Sequence, residues 1–180
     1  PTLLRLAIPN TVAMLGTALV SVAETSYIGR LGTEPLAAIA PVFPFAMLTQ
    51  MMSAGAMGGG VSSAISRALG AGDRARAEAL ALHAVIIGIC GGLVFTLLML
   101  LFGRSLYMLL GGRGEVLEQA CSYSRVLFCG AVSIWLVNTL ASVLRGTGDM
   151  ALPSIAQVGV AAAQIVIGGT LGLGLFGLPR

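Results

Sequence analysis

A single carboxylate, Glu24, stands in an apolar segment, Ile8 to Ile28 (IPNTVAMLGTALVSVAETSYI), that holds no other formal charge. As a helix rising about 1.5 Å per residue, that segment spans roughly 30 Å, the thickness of a hydrocarbon core. An ionised carboxylate at such depth is costly unless it is paired, protonated or facing water. The chemistry it suggests is the binding of a proton, a cation or a substrate. The structural alternative is a carboxylate near enough to the helix end to reach the interface. Asn10, Thr17, Ser21 and Glu24 fall on one side of a helix at about 100° per residue, with Met14 among them. Lipid cannot satisfy such a stripe, so it should face protein or a water-filled cavity. A plain packing seam would use small residues and hydroxyls, and the carboxylate favours a cavity.

Further along, Phe43, Met47, Gln50, Ala54 and Met57 share a helical face beneath Pro41 and Pro44, where a kink is expected. Methionine and aromatic surface with one amide suits flexible, mostly apolar ligands, although ordinary packing gives the same pattern. Trp135, Asn138, Ser142 and Arg145 line one face of a later segment, and Gln157 and Gln164 one side of the last, with Gly168 a turn further. Membrane amides commonly act as hydrogen-bonding glue between helices. Arg125 either snorkels to headgroups or pairs with Glu24, and His83 reads as interfacial. The segment Gly55, Gly58, Gly59 and Gly60 permits close helix approach or bending.

The elements that must position these groups are helices in lipid. The 180 residues are 57% hydrophobic and 9% charged, with a mean hydropathy of +0.96; that composition suits a chain whose solvent is a bilayer. A net charge of +3, carried by ten arginines and no lysine, is too dispersed for a nucleic-acid surface. Without lysine no GxxxxGK[ST] loop exists, and HExxH, GxSxG and a Ser-Lys pair are also missing, so nothing marks an enzyme. No metal site is expected: Cys90, Cys121 and Cys129 lack metal-ligand spacing and read as buried structural thiols.

Five spans are expected, at about 4–28, 36–69, 78–102, 116–144 and 152–176, giving an all-α polytopic bundle. The turns between them are GRLGTE, GAGDRAR, the longer GRSLYMLLGGRGE and RGTGDM. The second and fourth spans exceed a minimal crossing and should tilt or project. Arg67, Arg74 and Arg76 bias one turn toward the cytoplasm, which also puts the N-terminus inside. Gly70-Ala71-Gly72-Asp73 and Gly146-Thr147-Gly148-Asp149 echo one another, so successive helical hairpins are expected to be built alike. Pro1 is not an initiator methionine, and the chain reads as part of a longer membrane protein.

Three stretches carry a family resemblance. LLRLAIPNTV…VAETSYIGRLGTEPLAAIAPVFP resembles the opening of the multidrug and toxic compound extrusion (MATE) family. ALGAGDRARAEA resembles that family's turn after its second helix, and LRGTGDMALP its signature between the fourth and fifth. Order and spacing are kept over nearly the whole chain. The resemblance implies a twelve-helix antiporter of two six-helix lobes, exporting organic cations or other amphipathic compounds against protons or sodium ions. About five helices of the N-terminal lobe would be present here, and the C-terminal lobe of the same chain would be the missing partner. It implies no cofactor beyond the coupling ion, and residence in the bacterial cytoplasmic (inner) membrane.

Glu24 keeps the first-helix carboxylate where many relatives have aspartate. The Asn-x-x-x-Asp arrangement of their fifth helix reads Gln164 and Gly168 here. That departure removes a second carboxylate and concentrates ion coupling on Glu24 or on the other lobe. The expected substrate cavity comprises Asn10, Thr17, Ser21, Phe43, Met47, Gln50, Asn138 and Gln164. Two alternatives stand beside the exporter. A lipid-linked oligosaccharide flippase of related fold should place more cations in its cavity. A noncatalytic membrane assembly subunit would use its polar groups only to set helix pairing.

Overall fold

The computed structural model describes the backbone of residues 2–31 and 33–172; the side chains of 2–10, 13, 24, 27, 28, 30, 31, 33–35, 168, 169, 171 and 172 lie outside the described set. The described residues are helical apart from short turns, with no strand among them. The chain forms two compact units, one from Pro1–Leu36 with Asp149–Arg180 and the other from Ala37–Gly148.

The first unit pairs α1 (Thr2–Leu31) with α8 (Ala151–Gly172). A methyl at Gly16 would sit 3.8 Å from Ala161 Cβ, an ordinary contact, and Val20 and Ala161 are buried nearby along the pair. The α1 hydroxyls turn back on their own helix: Ser21 donates to the Thr17 carbonyl at 3.2 Å, Thr25 to Ser21 at 2.8 Å and Ser26 to Val22 at 2.8 Å. Such back-bonding satisfies a hydroxyl without a neighbouring helix. The expected stripe therefore needs no outside partner for Ser21, which is exposed.

The second unit begins with the last residues of α2 (Thr33–Ile39), and here the expected continuous span over 36–69 is interrupted. Pro41 supplies no N–H and its ring clashes with the carbonyl four residues back, so the helix stops and Ala40–Val42 form a turn closed by Val42 N–H to Ile39 C=O at 3.0 Å. Pro44 then sits at the tolerated first turn of α3 (Phe43–Gln50). From Gln50 the chain continues as a π-helical segment, Met51–Met57, and then α4 (Gly58–Gly70).

The third expected span is α5 (Arg74–Leu109), which has 36 residues and extends past both ends of the 78–102 expected. GRSLYML continues the helix instead of forming the loop. Tyr107 explains this: it is fully buried, its hydroxyl 3.8 Å from Met99 Sδ and its ring edge-on to Phe45 at 5.9 Å. With Ala38, Val42, Leu117, Ala120 and Phe128 it forms the larger core of the unit.

The span expected at 116–144 is two helices, α6 (Gly114–Cys129) and α7 (Ala131–Gly146), bent by 43° at Gly130. Ending α6 early frees carbonyls in its last turn. Thr96 of α5 compensates one of them, donating to the Phe128 carbonyl at 2.7 Å. Among the described residues, α5 alone, and α6 with α7 across their bend, are long and apolar enough to cross a membrane.

Both GxGD turns share their local build. Gly72 (φ 76°) and Gly148 (φ 90°) hold the left-handed conformation that side chains disfavour. Asp73 accepts the Arg76 N–H at 2.9 Å, and Asp149 accepts those of Ala151 and Leu152 at 3.0 Å, so each aspartate caps the next helix. Their leading glycines differ: Gly70 faces open space, whereas a methyl at Gly146 would lie 2.9 Å from Ile65 Cβ and 3.0 Å from the Ser62 carbonyl.

Candidate functional site

The polar centre of the second unit is Asn138, on α7. Its Nδ2 donates to Ser53 Oγ at 2.8 Å and to Gln50 Oε1 at 3.3 Å. Ser53 in turn donates to the Gln50 carbonyl at 3.3 Å, and Ser142 to the Asn138 carbonyl at 2.7 Å. Ser53, Asn138 and Ser142 are buried while Gln50 is exposed. The network therefore runs from the interior to an accessible amide.

Local structure sets this geometry. Ser53 lies in the π-helical turn, where the wider i→i+5 ladder shifts the following residues around the axis; such turns recur at functional sites. α4 then approaches α7 closely because residue 58 is glycine: a methyl there would come 2.5 Å from Ser142 Oγ. Contacts pair 53 with 138, 58 with 142 and 62–65 with 146, so these helices run parallel.

On its other flank α7 meets α5 antiparallel, 88 facing 139, 91 facing 135 and 92 facing 132. Trp135 packs on Phe95 with ring centroids 5.7 Å apart. Trp135 Nε1 and Thr139 Oγ1 are both buried here without a hydrogen-bond partner among the described residues. The expected single face of Trp135, Asn138, Ser142 and Arg145 is thus shared between neighbours. Trp135 faces α5, Asn138 and Ser142 face the π turn and α4, and Arg145 is half-buried.

The expected cavity residues divide between the units. Asn10, Thr17 and Ser21 lie on α1 and Gln164 on α8; Thr17, Ser21 and Gln164 are exposed, and the side chains of Asn10 and Glu24 lie outside the described residues, as does Gly168. In the other unit Phe43, Met47 and Gln50 are exposed along α3, and Asn138 is bonded to Gln50. Arg125 is exposed on α6 and makes no ion pair among the described residues; its pairing with Glu24 falls outside them. Of the thiols expected to be buried, Cys121 is, but Cys90 and Cys129 are exposed, an outcome open to apolar-facing thiols on helices whose outer surface meets lipid. His83 is exposed near the start of α5.

Ser53 and the π turn are the parts of the network that sequence reasoning missed, whereas the close approach expected of the glycine segment is seen at Gly58. A serine three residues after Gln50 was the available signal, and it is too common in membrane helices to single out. Chemically the network can present an oriented amide to a ligand: with Oε1 engaged by Asn138, the Gln50 side chain is held in place while remaining accessible. Among the described residues no cluster of His, Cys, Asp or Glu could hold a metal ion.

A family model described as MatE matches residues 9–170. A protein named FAD transporter from Shewanella oneidensis is 28% identical over 178 residues, covering 99% of this chain and 39% of the relative. A multidrug export protein, MepA, from Staphylococcus aureus is 28% identical over 163 residues, covering 89% of this chain and 35% of the relative. Among solved structures, a crystal structure of MATE in complex with MaD3S superimposes with a TM-score of 0.91 at 35% identity, over 94% of this chain and 38% of that one. This chain thus spans under two-fifths of the length of each of these three proteins.

Proposed function

Because this chain belongs to the MatE family of polytopic, all-helical membrane transporters, we propose that it forms part of a secondary active multidrug exporter. The exporter moves organic cations or amphipathic compounds against protons or sodium ions. The family match over residues 9–170 carries the reading, and the Gln50–Ser53–Asn138 network supports it from within the chain. Export by alternating access needs a second bundle working against this one, which this reading assigns to a C-terminal lobe. The membrane it places the protein in is a bacterial cytoplasmic one, with the N-terminus inside.

The residues assigned to substrate contact are Asn10, Thr17, Ser21, Phe43, Met47, Gln50, Asn138 and Gln164. Apolar and methionine side chains accommodate varied shapes, and the amides orient polar ends. Glu24 is assigned the coupling ion. Protonation or cation binding removes its net charge, which changes the cost of keeping α1 in an apolar setting and so biases two packings. A second substrate reading comes from the relative named FAD transporter: FAD is amphipathic, with planar flavin and adenine rings joined through an anionic diphosphate.

The test is exchange in proteoliposomes containing the complete transporter. Glu24→Gln is expected to insert folded and lose ion-driven efflux of an organic cation such as ethidium, while Glu24→Asp keeps part of it. Undiminished exchange by Glu24→Gln would remove the assignment. Efflux of FAD with none of ethidium would replace the multidrug reading by the flavin one.

A further inference from the structure

The hairpin joining α4 to α5 carries three arginines against Asp73 and Glu78, a net positive charge with Glu78 on the side of Arg74. Arg67 lies in the last turn of α4, and Arg74 and Arg76 in the first turn of α5. None of the three makes an ion pair among the described residues, where Arg104 with Glu118 at 2.8 Å, toward the other end of α5, does. Asp73 lies between them, but its Oδ1 is used by the backbone N–H of Arg76 as the helix cap.

The same place is concave. A groove of about 290 Å³ is lined by Arg67, Arg76 and Asp73 together with Ala64, Ala68 and Leu80. The alanines keep it open, and Ala68 is buried while both arginines are exposed, so the groove has an apolar inner wall and a cationic rim. It adjoins the N-terminus of α5, whose helix dipole adds positive potential. From Ala84 to Gly103 that helix carries no charged side chain, so a bilayer centred on this stretch leaves the arginines toward the headgroups.

We propose that this groove binds the phosphodiester headgroup of an anionic phospholipid. Arg67 and Arg76 hold the phosphate through the planar, paired N–H donors of their guanidinium groups. Ala64, Ala68 and Leu80 contact the glycerol and the start of an acyl chain. Net negative lipid charge decides the preference: Arg67 and Arg76 outweigh Asp73 by one positive charge, which attracts a phosphodiester and repels the choline cation of a zwitterionic headgroup. The site is independent of which compound the transporter carries and of the leaflet the hairpin faces.

Native mass spectrometry of the detergent-purified protein, titrated with phosphatidylglycerol or phosphatidylcholine, tests it. Phosphatidylglycerol should bind the more tightly. Arg67→Gln and Arg76→Gln should each weaken it about five-fold, the effect of one basic side chain near a membrane surface, and Arg113→Gln should not. Ala64→Trp, which fills the groove with both arginines kept, should also abolish the preference; this second variant decides the matter if the arginine variants fold poorly. Equal binding of both lipids, or unchanged binding by Ala64→Trp, would overturn the proposal. So would displacement of the lipid by free glycerol phosphate at equal concentration, which would mean that the groove takes phosphate as such.

Discussion

The two flanks of α7 solve one packing problem in opposite ways. Toward the π turn the helix is held by hydrogen bonds from Asn138 to Ser53 and Gln50, and only further along, at Gly58 and Gly146, does it close on α4 by proximity. Toward α5 it is held by proximity. Gly88, Gly91 and Gly92 let α7 approach so closely that methyl groups would come 2.7 Å from Thr139 Oγ1, into the Trp135 ring and 2.5 Å from Val132 Cα. In lipid the hydrophobic effect does not drive helices together, so dispersion at small residues and polar pairing must do it. Close packing fixes one geometry, because a shift of a fraction of an ångström forfeits contact. Hydrogen-bonded side chains have rotamers to change. The α5 flank is therefore the rigid side of α7, and the contact with the π turn the adaptable one, which is also where the accessible amide lies.

The largest effect expected from this contrast is at Gly92. Its missing methyl would meet Val132 Cα at 2.5 Å and Val132 N at 3.0 Å, both backbone atoms that cannot rotate aside. Gly92→Ala should push α5 and α7 apart and cost about 2 kcal/mol. Gly60→Ala, on the exposed side of α4 with nothing within 4 Å, is the matched control. It should gain up to about 1 kcal/mol from helix propensity. Thermal unfolding of the purified protein in detergent should thus move in opposite directions for two identical substitutions. Movement in the same direction would break the rigid-flank account.

On the amide flank the effects are smaller and coupled. Asn138→Ala removes two side-chain hydrogen bonds and should cost about 1 kcal/mol, in line with polar pairs between membrane helices. Ser53→Ala should cost less. The double variant should cost little more than Asn138→Ala alone, since both remove the same 2.8 Å contact. Strict additivity in that cycle would show the pair to be energetically independent and the network to be adjacency only.

Different parts of this picture were legible in the sequence to different degrees. The helical class and the two GxGD turns could be read directly, because apolar length and glycine–aspartate turn chemistry act locally. Gln50 and Asn138 could be singled out as amides in apolar helices, but nothing local announced that they bond to each other across 88 positions. The glycines show the limit most clearly. Gly92 packs and Gly130 bends, yet both are the same residue in the same kind of apolar setting. What separates them is the neighbour across the helix, which a sequence window does not contain. The π turn was hidden for the same reason, since Met51–Met57 carries no proline or charge to mark a change in helical pitch.

The smallest effect, and the finest test of the contrast, is expected at Thr139. Its hydroxyl is fully buried against α5 and has no conventional hydrogen-bond partner among the described residues. A methyl at Gly88 would lie 2.7 Å from that oxygen, so the Gly88 Cα–H bond in the same direction points at it. A Cα–H···O contact of this kind is worth about 0.5–1 kcal/mol, while a buried hydroxyl without a full partner costs about 1–3 kcal/mol. Valine has nearly the same shape and removes both. Thr139→Val should therefore leave the unfolding midpoint unchanged or raise it slightly, whereas Thr139→Ala, which opens a gap, should lower it. A clear loss of stability in Thr139→Val alone would mean that the hydroxyl carries real polar pairing. The two flanks of α7 would then differ in degree and not in kind.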